Sequence, residues 1–278
     1  MQKSSIDTTH APSLLPDEKR WQLIWNDEFD GDTLDRTKWD YRLHLMGRRH
    51  STFTDEGAVL DGSGNLLLKL IEKDGHYYSS HLQTGEFCLD RSGEAFFKFT
   101  WPIGNIRQPR FMHKYGYYEI RCKLQAQPGW WSAFWLQSPV FGTTINPAVS
   151  GVEVNIMENY TRNNKIIHDN HWNGNNQNGD HQFCESGDIL LNDTPDGFHH
   201  FGCHWSPYGY VFYVDGVETW RCDSPVSHTE QFILISTECM GYRKSDEPDE
   251  ALKRAILPDC FIVDFVRVYD EDLSYKKA

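Results

Sequence analysis

Short strand-like segments separated by turn residues run through most of this 278-residue chain, and they constrain its fold more than any other feature. In Tyr115–Leu124, apolar side chains at Tyr118, Ile120, Cys122 and Leu124 alternate with more polar neighbours. A period of two is typical of a strand that buries one face. The segment therefore predicts a strand with its apolar side chains turned into a core.

The same kind of segment recurs along the chain, with Gly, Pro, Asn and Asp residues between the segments. Further examples are Asn65–Ile71, Ala133–Leu136, Val152–Met157, His199–Trp205, Tyr210–Val214, Phe232–Ser236 and Phe261–Tyr269. Asp215-Gly216 directly follows one of them and predicts a hairpin turn. Helical periodicity is weak, and its best candidate, Glu247–Ile256, is a surface helix or a loop. Many short strands of this kind predict an all-β sandwich.

The domain organisation predicted from the sequence is simple. Residues 1–20 are polar and contain two prolines, so we expect an N-terminal tail there and a C-terminal tail over 273–278. Residues 21–272 form one predicted domain, a length that single β-sandwiches reach. No run of about 18 apolar residues is present, so we expect no membrane insertion. We expect the chain to act as a monomer.

Charge and composition narrow the classes of function. Lys and Arg number 27 against 40 Asp and Glu, giving a net charge of −13, which disfavours binding to nucleic-acid phosphates and fits a neutral substrate. Aromatic residues make up 14% of the chain, and aromatic faces stack on sugar rings as well as packing cores. The seven cysteines include no CxxC pair, which argues against a full disulfide framework and a zinc ribbon.

The segment GVEVNIMENY at residues 151–160 carries the most chemical information. Glu153 and Asn155 are two positions apart, so they would share one face of a strand. Regular alternation would turn Glu158 inward, where a carboxyl group without a partner is costly. One extra residue, a β-bulge near 156–157, would return Glu158 to the face of the other two. We predict such a bulge.

Two carboxyl groups on one strand face suit a retaining glycosidase, in which one attacks the anomeric carbon and the other serves as acid and then base. About four strand positions separate the two Cα atoms by roughly 13 Å. Side chains leaning together could narrow the gap between the carboxyl groups to roughly 5–5.5 Å. The alternative is a solvated strand face carrying two ordinary glutamates.

The sequence resembles glycoside hydrolase family 16, the group of laminarinases, agarases, carrageenases and lichenases. The family motif E-x-D-x-x-E matches residues 153–158 except at Asn155. Collinear stretches that also resemble the family are WNDEFDG (25–31), YGYYEIRCKL (115–124), WWSAFWL (130–136), FHHFGCHWSPYGYVFYVDG (198–216) and VDFVRVYD (263–270). The resemblance implies a jelly-roll, concanavalin A-like sandwich of two curved antiparallel sheets with an open cleft. It also implies that Glu153 is the nucleophile and Glu158 the acid/base.

Asn155 is the one departure within the motif. Asn can donate or accept a hydrogen bond but cannot ionise, so the site loses the negative charge of the family's Asp. The residue is natural with activity retained, an engineered trap for bound substrate, or a sign that the protein has become a sugar-binding module. We favour the first interpretation because both glutamates remain.

Further substrate-binding residues are expected along the cleft that the resemblance implies. The candidates are Trp131, Trp135, His171, Trp172, Glu238 and Arg110. Four of them have an ordinary structural alternative, which is core packing for Trp135, a structural role for His171, an exposed loop for Glu238 and a solvated turn for Arg110. Arg107 is a candidate on the same grounds as Arg110.

A structural calcium ion is also implied by the resemblance, on the convex side of the sandwich. The matching positions are the carbonyl groups of Glu28 and Gly64 and the side chain of Asp264. Oxygen ligands of this kind suit calcium. No cofactor is expected for catalysis.

The function predicted from the sequence is that of a retaining endo-β-glycoside hydrolase acting on a β-1,3-glucan- or galactan-type polysaccharide by double displacement. A transglycosylase and a catalytically silent, lectin-like protein are the alternatives. A polysaccharide substrate implies a secreted, periplasmic or cell-surface location. Residues 1–20 lack the apolar run of a signal peptide, so we expect that signal to be absent from this chain.

Overall fold

The computed structural model describes residues 2–4, 9–90, 107–160, 164–174 and 180–272. In these ranges almost all of the regular secondary structure is β-strand. In chain order they are β1 Gln2–Ser4, β2 Ser13–Leu15, β3 Trp21–Asp27, β4 Asp40–Tyr41, β5 His44–Leu45, β6 Arg48–Arg49, β7 Ala58–Leu60, β8 Leu66–Lys69, β9 Ile71–Lys73, β10 His76–Tyr78, β11 His81–Gln83, β12 Gly116–Lys123, β13 Trp130–Gln137, β14 Glu153–Asn159, β15 Lys165–Trp172, β16 Gln182–Glu185, β17 Ile189–Leu190, β18 His199–Ser206, β19 Gly209–Val214, β20 Val217–Cys222, β21 Phe232–Cys239 and β22 Cys260–Glu271. The helical elements are α1 Pro147–Ser150, α2 Tyr242–Ser245 and a 3-10 turn at Leu252–Arg254.

Two large antiparallel sheets form the body of the molecule. The front sheet has the strand order β16-β15-β14-β13-β21-β11-β4, with β17 beside β15. The back sheet has the order β20-β19-β18-β12-β22-β8-β7, with β3 beside β22. The predicted all-β sandwich is confirmed, and its architecture is that of a jelly roll.

The core lies between the two sheets and follows the alternation seen in the sequence. Tyr118, Ile120 and Cys122 of β12 are fully buried in the main core. Phe134 and Leu136 of β13 belong to the same cluster. Since each large apolar side chain contributes about 1.5–3 kcal/mol when fully buried, this alternation determines which face of each strand turns inward.

The structure decides two local predictions: it contains the hairpin, and it has no long helix at the helix candidate. Asp215 and Gly216 have φ angles of 49° and 81° and join β19 to β20, as predicted for an Asp-Gly turn. The stretch Glu247–Ile256 carries only the 3-10 turn at Leu252–Arg254. Within the described residues, no helix is both long and apolar enough to span a membrane.

The residues just before position 21 are packed rather than loose. Leu15 and Ser13 are buried, and the hydroxyl groups of Ser13 and Tyr269 lie 2.7 Å apart. Arg267 donates to the Ala11 carbonyl oxygen at 2.9 Å. Polar composition predicted a tail at 1–20, but a long polar side chain of β22 supplies the partners that hold this segment against the back sheet. The predicted tail at 273–278 lies outside the described residues.

Candidate active site

A β-bulge in β14 determines which side chains of the catalytic segment point outward. Against β13, Phe134 pairs with Met157 and the next residue, Trp135, pairs with Asn155, so Ile156 is the extra residue. Ile156 and Met157 both enter the core between the sheets. The predicted bulge is confirmed, and it turns Glu158 back to the face that carries Glu153 and Asn155.

The strand register places the site on the face of the front sheet that is turned away from the back sheet, here called the outer face. Glu153 pairs with His171 and Asn155 pairs with Asp169 on β15. Directly paired residues lie on the same face, with Cβ atoms about 4.5–5.5 Å apart. Ala133 is the partner of Glu158 on β13, and its small side chain leaves space beside that carboxyl group.

Glu153 is held by a side chain from β13. Gln137 Nε2 donates to Glu153 Oε2 at 2.7 Å. Burial raises the pKa of Glu153, while the neighbouring His171 and Arg42 and the Gln137 hydrogen bond act against that shift. These contacts fix the rotamer of the carboxylate and favour its ionised form, which a nucleophile requires.

The pKa of Glu158 is raised further than that of Glu153. Burial raises its pKa well above the usual value, and the charge and hydrogen bond of Asp169 raise it further. Tyr160 donates its hydroxyl to Glu158 Oε2 at 3.0 Å and works in the other direction. A carboxyl group that keeps its proton near neutral pH is what a general acid requires.

Asn155 lies between the two glutamates and is tied to the next strand. Its Nδ2 donates to Asp169 Oδ1, and both side chains are buried. Asp169 also hydrogen-bonds to Glu158. The site therefore contains three carboxyl groups, two from β14 and one from β15.

His171 extends the site along β15. Its Nε2 lies 3.5 Å from Asp169 Oδ1, and its Nδ1 lies 2.9 Å from His181 Nε2. Burial opposes protonation of His171, but the hydrogen bond to Asp169 and the charge of Glu153 outweigh it and raise its pKa. The structure thus brings this predicted binding residue beside the nucleophile candidate.

Trp131 lies at the other end of the outer face, paired with Glu238 of β21. Its ring stacks on Tyr160, with centroids 5.6 Å apart and planes 28° apart. Arg243 lies over the same ring at 5.6 Å and donates to both carboxylate oxygens of Glu238. Glu238 therefore positions Arg243 over Trp131, and a sugar hydroxyl would have to compete with that guanidinium for its carboxylate.

The comparison with known protein families agrees with this geometry. The model of the glycosyl hydrolases family 16 matches residues 69–238, which is more than half of the chain and includes both glutamates. The chain belongs to glycosyl hydrolase family 16. The resemblance drawn from the sequence motifs is confirmed.

Two relatives of this family 16 chain carry the names of glucan-cleaving enzymes. Glucan endo-1,3-beta-glucosidase A1 of Niallia circulans is 26% identical over 96% of this chain, which spans 40% of that relative's length. Beta-glucanase of Rhodothermus marinus is 24% identical, with 90% of this chain and 85% of the relative covered.

Solved structures share the fold. The catalytic domain of an endo-1,3-beta-glucanase (laminarinase) from Thermotoga petrophila RKU-1 aligns with a TM-score of 0.66 at 21% identity, covering 91% of this chain and 99% of that domain. SCLam, a non-specific endo-beta-1,3(4)-glucanase, aligns with a TM-score of 0.65 at 21% identity, covering 94% and 95%. Both alignments confirm the jelly-roll sandwich.

The other two tryptophans predicted to bind substrate are placed differently in this family 16 chain. Trp135 lies on the outer face but is only 8% exposed, because Phe87, Phe141 and Phe232 pack around it. Trp172 packs against the core between the sheets, so its assignment as a cleft-lining residue is corrected. Since successive strand residues face opposite ways, only one member of the His171-Trp172 pair could reach the outer face.

Arg110 is exposed. It lines a pocket of about 440 Å³ together with Arg42, Gln83 and Asp90, and neither catalytic glutamate contributes to that pocket. Arg107 lines the same pocket and lies 3.4 Å from Asp40. Substrate binding by Arg110 stays a prediction.

The three residues matched to a calcium site lie together at the back sheet, but their contacts do not fit the ion. Asp264 accepts hydrogen bonds from His10 Nδ1 at 2.6 Å and from Arg121. The His10 ring also fills the space beside Gly64, since a Cβ built there would lie 2.7 Å from His10 Cε1. The Glu28 side chain is bound by Arg267. Nitrogen donors from His10 and Arg121 thus bind both oxygens of the Asp264 carboxylate, which calcium would need as a ligand.

Several residues of the site were not identified from the sequence. They are Asp169, Gln137, Tyr160 and Arg243, together with Phe183, which pairs with His171 on β16. Asp169 could have been found by pairing β14 with the following strand, because Asp169 stands two positions before His171 and so faces the same way. Gln137 and Arg243 are brought in by tertiary contacts that local patterning does not encode.

Proposed function

We propose that this chain is a retaining endo-β-glycoside hydrolase whose nucleophile is Glu153 and whose acid/base is Glu158. The observation that carries the proposal is the bulge of β14, which sets both carboxyl groups on one face in unlike surroundings. Glu153 is steadied by an amide donor, while the pKa of Glu158 is raised by burial and by Asp169. The pKa of both carboxyl groups is raised by burial, that of Glu158 further, and double displacement needs such a difference in proton affinity.

The proposed reaction has two steps. Glu153 attacks the anomeric carbon while Glu158 gives its proton to the glycosidic oxygen, so the bond to the leaving sugar breaks and a glycosyl ester forms. Glu158, now ionised, takes a proton from water, whose oxygen attacks the same carbon and releases Glu153. Two inversions leave the original β configuration.

A β-1,3-linked glucan is the proposed substrate, cut within the chain. The names of the Niallia, Rhodothermus and Thermotoga relatives support a glucan over a galactan. The open outer face, with Trp131 at one end and His171 at the other, supports binding of an extended chain. We also propose that the enzyme acts as a monomer outside the cell, where such polymers are found.

The proposal is tested by incubating the chain with laminarin, mixed-linkage β-glucan, agarose and carrageenan and measuring reducing ends. We expect laminarin to be cleaved. Glu153→Gln should lose about 1,000-fold or more in kcat while still binding the polymer, because the shape of the side chain is kept and its charge is lost.

Glu218→Gln is the matched control, since this glutamate is exposed on β20 of the back sheet. It should leave the rate unchanged. Binding without reducing ends from any polymer would indicate the lectin-like alternative, and unchanged turnover in Glu153→Gln would refute the nucleophile assignment. Longer oligosaccharides appearing in place of new reducing ends would indicate a transglycosylase.

A further inference from the structure

The cluster of three carboxyl groups offers an account of Asn155. The motif places Asn where a carboxylate is expected, and this alone would leave the pair of glutamates without a third acidic group. Asp169 supplies one from β15, directly opposite Asn155 in the sheet register. The site therefore has three acidic groups, as an E-x-D-x-x-E motif would give. Two lie on β14, and the third lies on β15 and not at position 155.

The contacts show why Asn and Asp occur together at these two positions. Asn155 Nδ2 donates to Asp169 Oδ1, a bond that needs an amide at 155 and a carboxylate at 169. An aspartate at both positions would place two negative charges in contact in a buried site, which is unfavourable. Asn155 also fixes the Asp169 carboxylate in the orientation that reaches Glu158.

We propose that Asp169 is a positioning residue for the acid/base Glu158, supplying from β15 the carboxylate that the sequence motif lacks at position 155. The inference rests on the proposed function of Glu158. It implies that Asn155 is a natural residue of an active site. Asn155 and Asp169 together then replace the single aspartate of the motif.

Several charged groups face Glu158 and must enter any account of its titration. Glu153 approaches it from its own strand, Tyr160 from just after the end of that strand, and Asp169 from β15. His171 lies beside Asp169, and Arg243 acts on both Glu153 and Tyr160. Among the acidic neighbours, only Asp169 combines a negative charge with a hydrogen bond to Glu158. Its removal should therefore change the titration of Glu158 more than the loss of any other single carboxylate outside the catalytic pair.

The test is a charge exchange between the two strands, read from the pH dependence of kcat/KM on laminarin. Asp169→Asn should lower kcat/KM about 100-fold at neutral pH and move the alkaline limb of the profile about one pH unit lower, because Glu158 then loses its proton more easily. Asn155→Asp alone should also lower the rate, since it brings two carboxylates together. The double variant Asn155→Asp/Asp169→Asn should recover most of the rate and the original alkaline limb.

Glu185→Gln is the matched control, because Glu185 is exposed and pairs with Asp169 across β15 and β16. It removes the same charge from the same part of the sheet without a contact to Glu158, and it should leave the profile unchanged. An Asp169→Asn enzyme with an unshifted profile would overturn the proposal, as would an Asn155→Asp enzyme that is faster by orders of magnitude. Failure of the double variant to recover activity while it remains folded would also overturn it.

A second readout separates this inference from the proposed function. Selective ¹³C labelling of glutamate side-chain carboxyl groups gives the titration of Glu158 by NMR without any turnover. Removal of Asp169 should lower the pKa of Glu158 even in a chain that cleaves no glucan. If the unmodified chain cleaves no glucan, the proposed function is refuted. If the titration of Glu158 is unchanged in Asp169→Asn, the role of Asp169 is refuted.

Discussion

At the scale of single residues, the site depends on giving two glutamates of one strand different proton affinities. Glu153 receives an amide hydrogen bond, and Glu158 receives a carboxylate neighbour. The difference is produced by residues of β13 and β15, so it is a property of the sheet register and not of the motif alone. Substitutions around Glu158 should therefore shift the pH profile in directions that the contacts define.

Tyr160→Phe is expected to shift the profile in the direction opposite to Asp169→Asn. The Tyr160 hydroxyl donates to Glu158 and favours its ionised form, so its removal should raise the pKa of Glu158 and move the alkaline limb of kcat/KM to higher pH. Phenylalanine keeps the ring that stacks on Trp131. The measurement is the pH dependence of laminarin hydrolysis, and a limb that moves to lower pH would contradict the assignment.

Glu158→Gln should stabilise the folded protein while lowering activity. A carboxyl group whose folded pKa is raised contributes stability below its unfolded pKa, and that contribution is lost as pH rises through the folded value. Above neutral pH the charged group therefore destabilises the fold, and a neutral amide of the same shape removes that cost. We expect the melting temperature at alkaline pH to rise by about 2 °C or more. An equal or lower melting temperature in thermal unfolding would argue against a raised pKa.

At the scale of elements, the edge of the front sheet formed by β15 and β16 extends the binding surface. Glu153, His171 and Phe183 pair in one row across three strands, so Phe183 lies about 10 Å from the nucleophile strand at about 4.8 Å per strand. The Phe183 side chain is 57% exposed and its ring stacks with that of His171. An exposed aromatic ring on the outer face is a suitable platform for a sugar ring.

Phe183→Ala is expected to weaken binding of long substrates. Loss of one stacking contact of about 1 kcal/mol should raise KM for laminarin about five-fold and leave kcat nearly unchanged. Short oligosaccharides that do not reach β16 should be unaffected. Leu190→Ala, an exposed apolar residue of β17 in the same sheet, is the control. Equal KM values for Phe183→Ala and the unmodified chain would exclude the platform.

The sequence predicted the elements of the site better than their contacts. Strand alternation and the cost of an inward-facing Glu158 were sufficient to predict the bulge, because both are local. Trp172 was misplaced because the motif identified the pair His171-Trp172 without deciding which residue faces outward. Asp169 was missed because its role depends on pairing with a strand 14 residues away, and the register of that pairing is not visible in either segment alone.

At the scale of the whole molecule, nitrogen donors link the segment before β3 to the back sheet. His10 joins the buried Asp264 to the exposed Asp30, and Arg267 binds the buried Glu28, so both buried carboxylates are paired with basic side chains. The His10–Asp264 and Arg267–Glu28 contacts join residues more than 200 positions apart. Composition alone predicted a tail at 1–20, whereas His10, Ser13 and Leu15 of that stretch are buried.

His10→Ala should destabilise the fold, whereas chelation should not. Removal of the imidazole leaves the buried Asp264 with one fewer donor, at a cost of about 2 kcal/mol or more in the free energy of unfolding. Excess EDTA should leave the melting temperature unchanged, because nitrogen donors hold the carboxylate that calcium would bind. Lys253→Ala, which removes an exposed ion pair with Glu250, is the control. A large fall in melting temperature with EDTA would show that calcium binds after all.

The most direct test of the account is the anomeric configuration of the first product. Proton NMR during the opening minutes of laminari-oligosaccharide hydrolysis distinguishes the β from the α anomer before mutarotation mixes them. Double displacement through Glu153 and Glu158 predicts that the β anomer appears first and the α anomer grows in later. An α anomer formed first would contradict the assignment of Glu153 as nucleophile, and the absence of any product would contradict the proposal that this chain is a hydrolase.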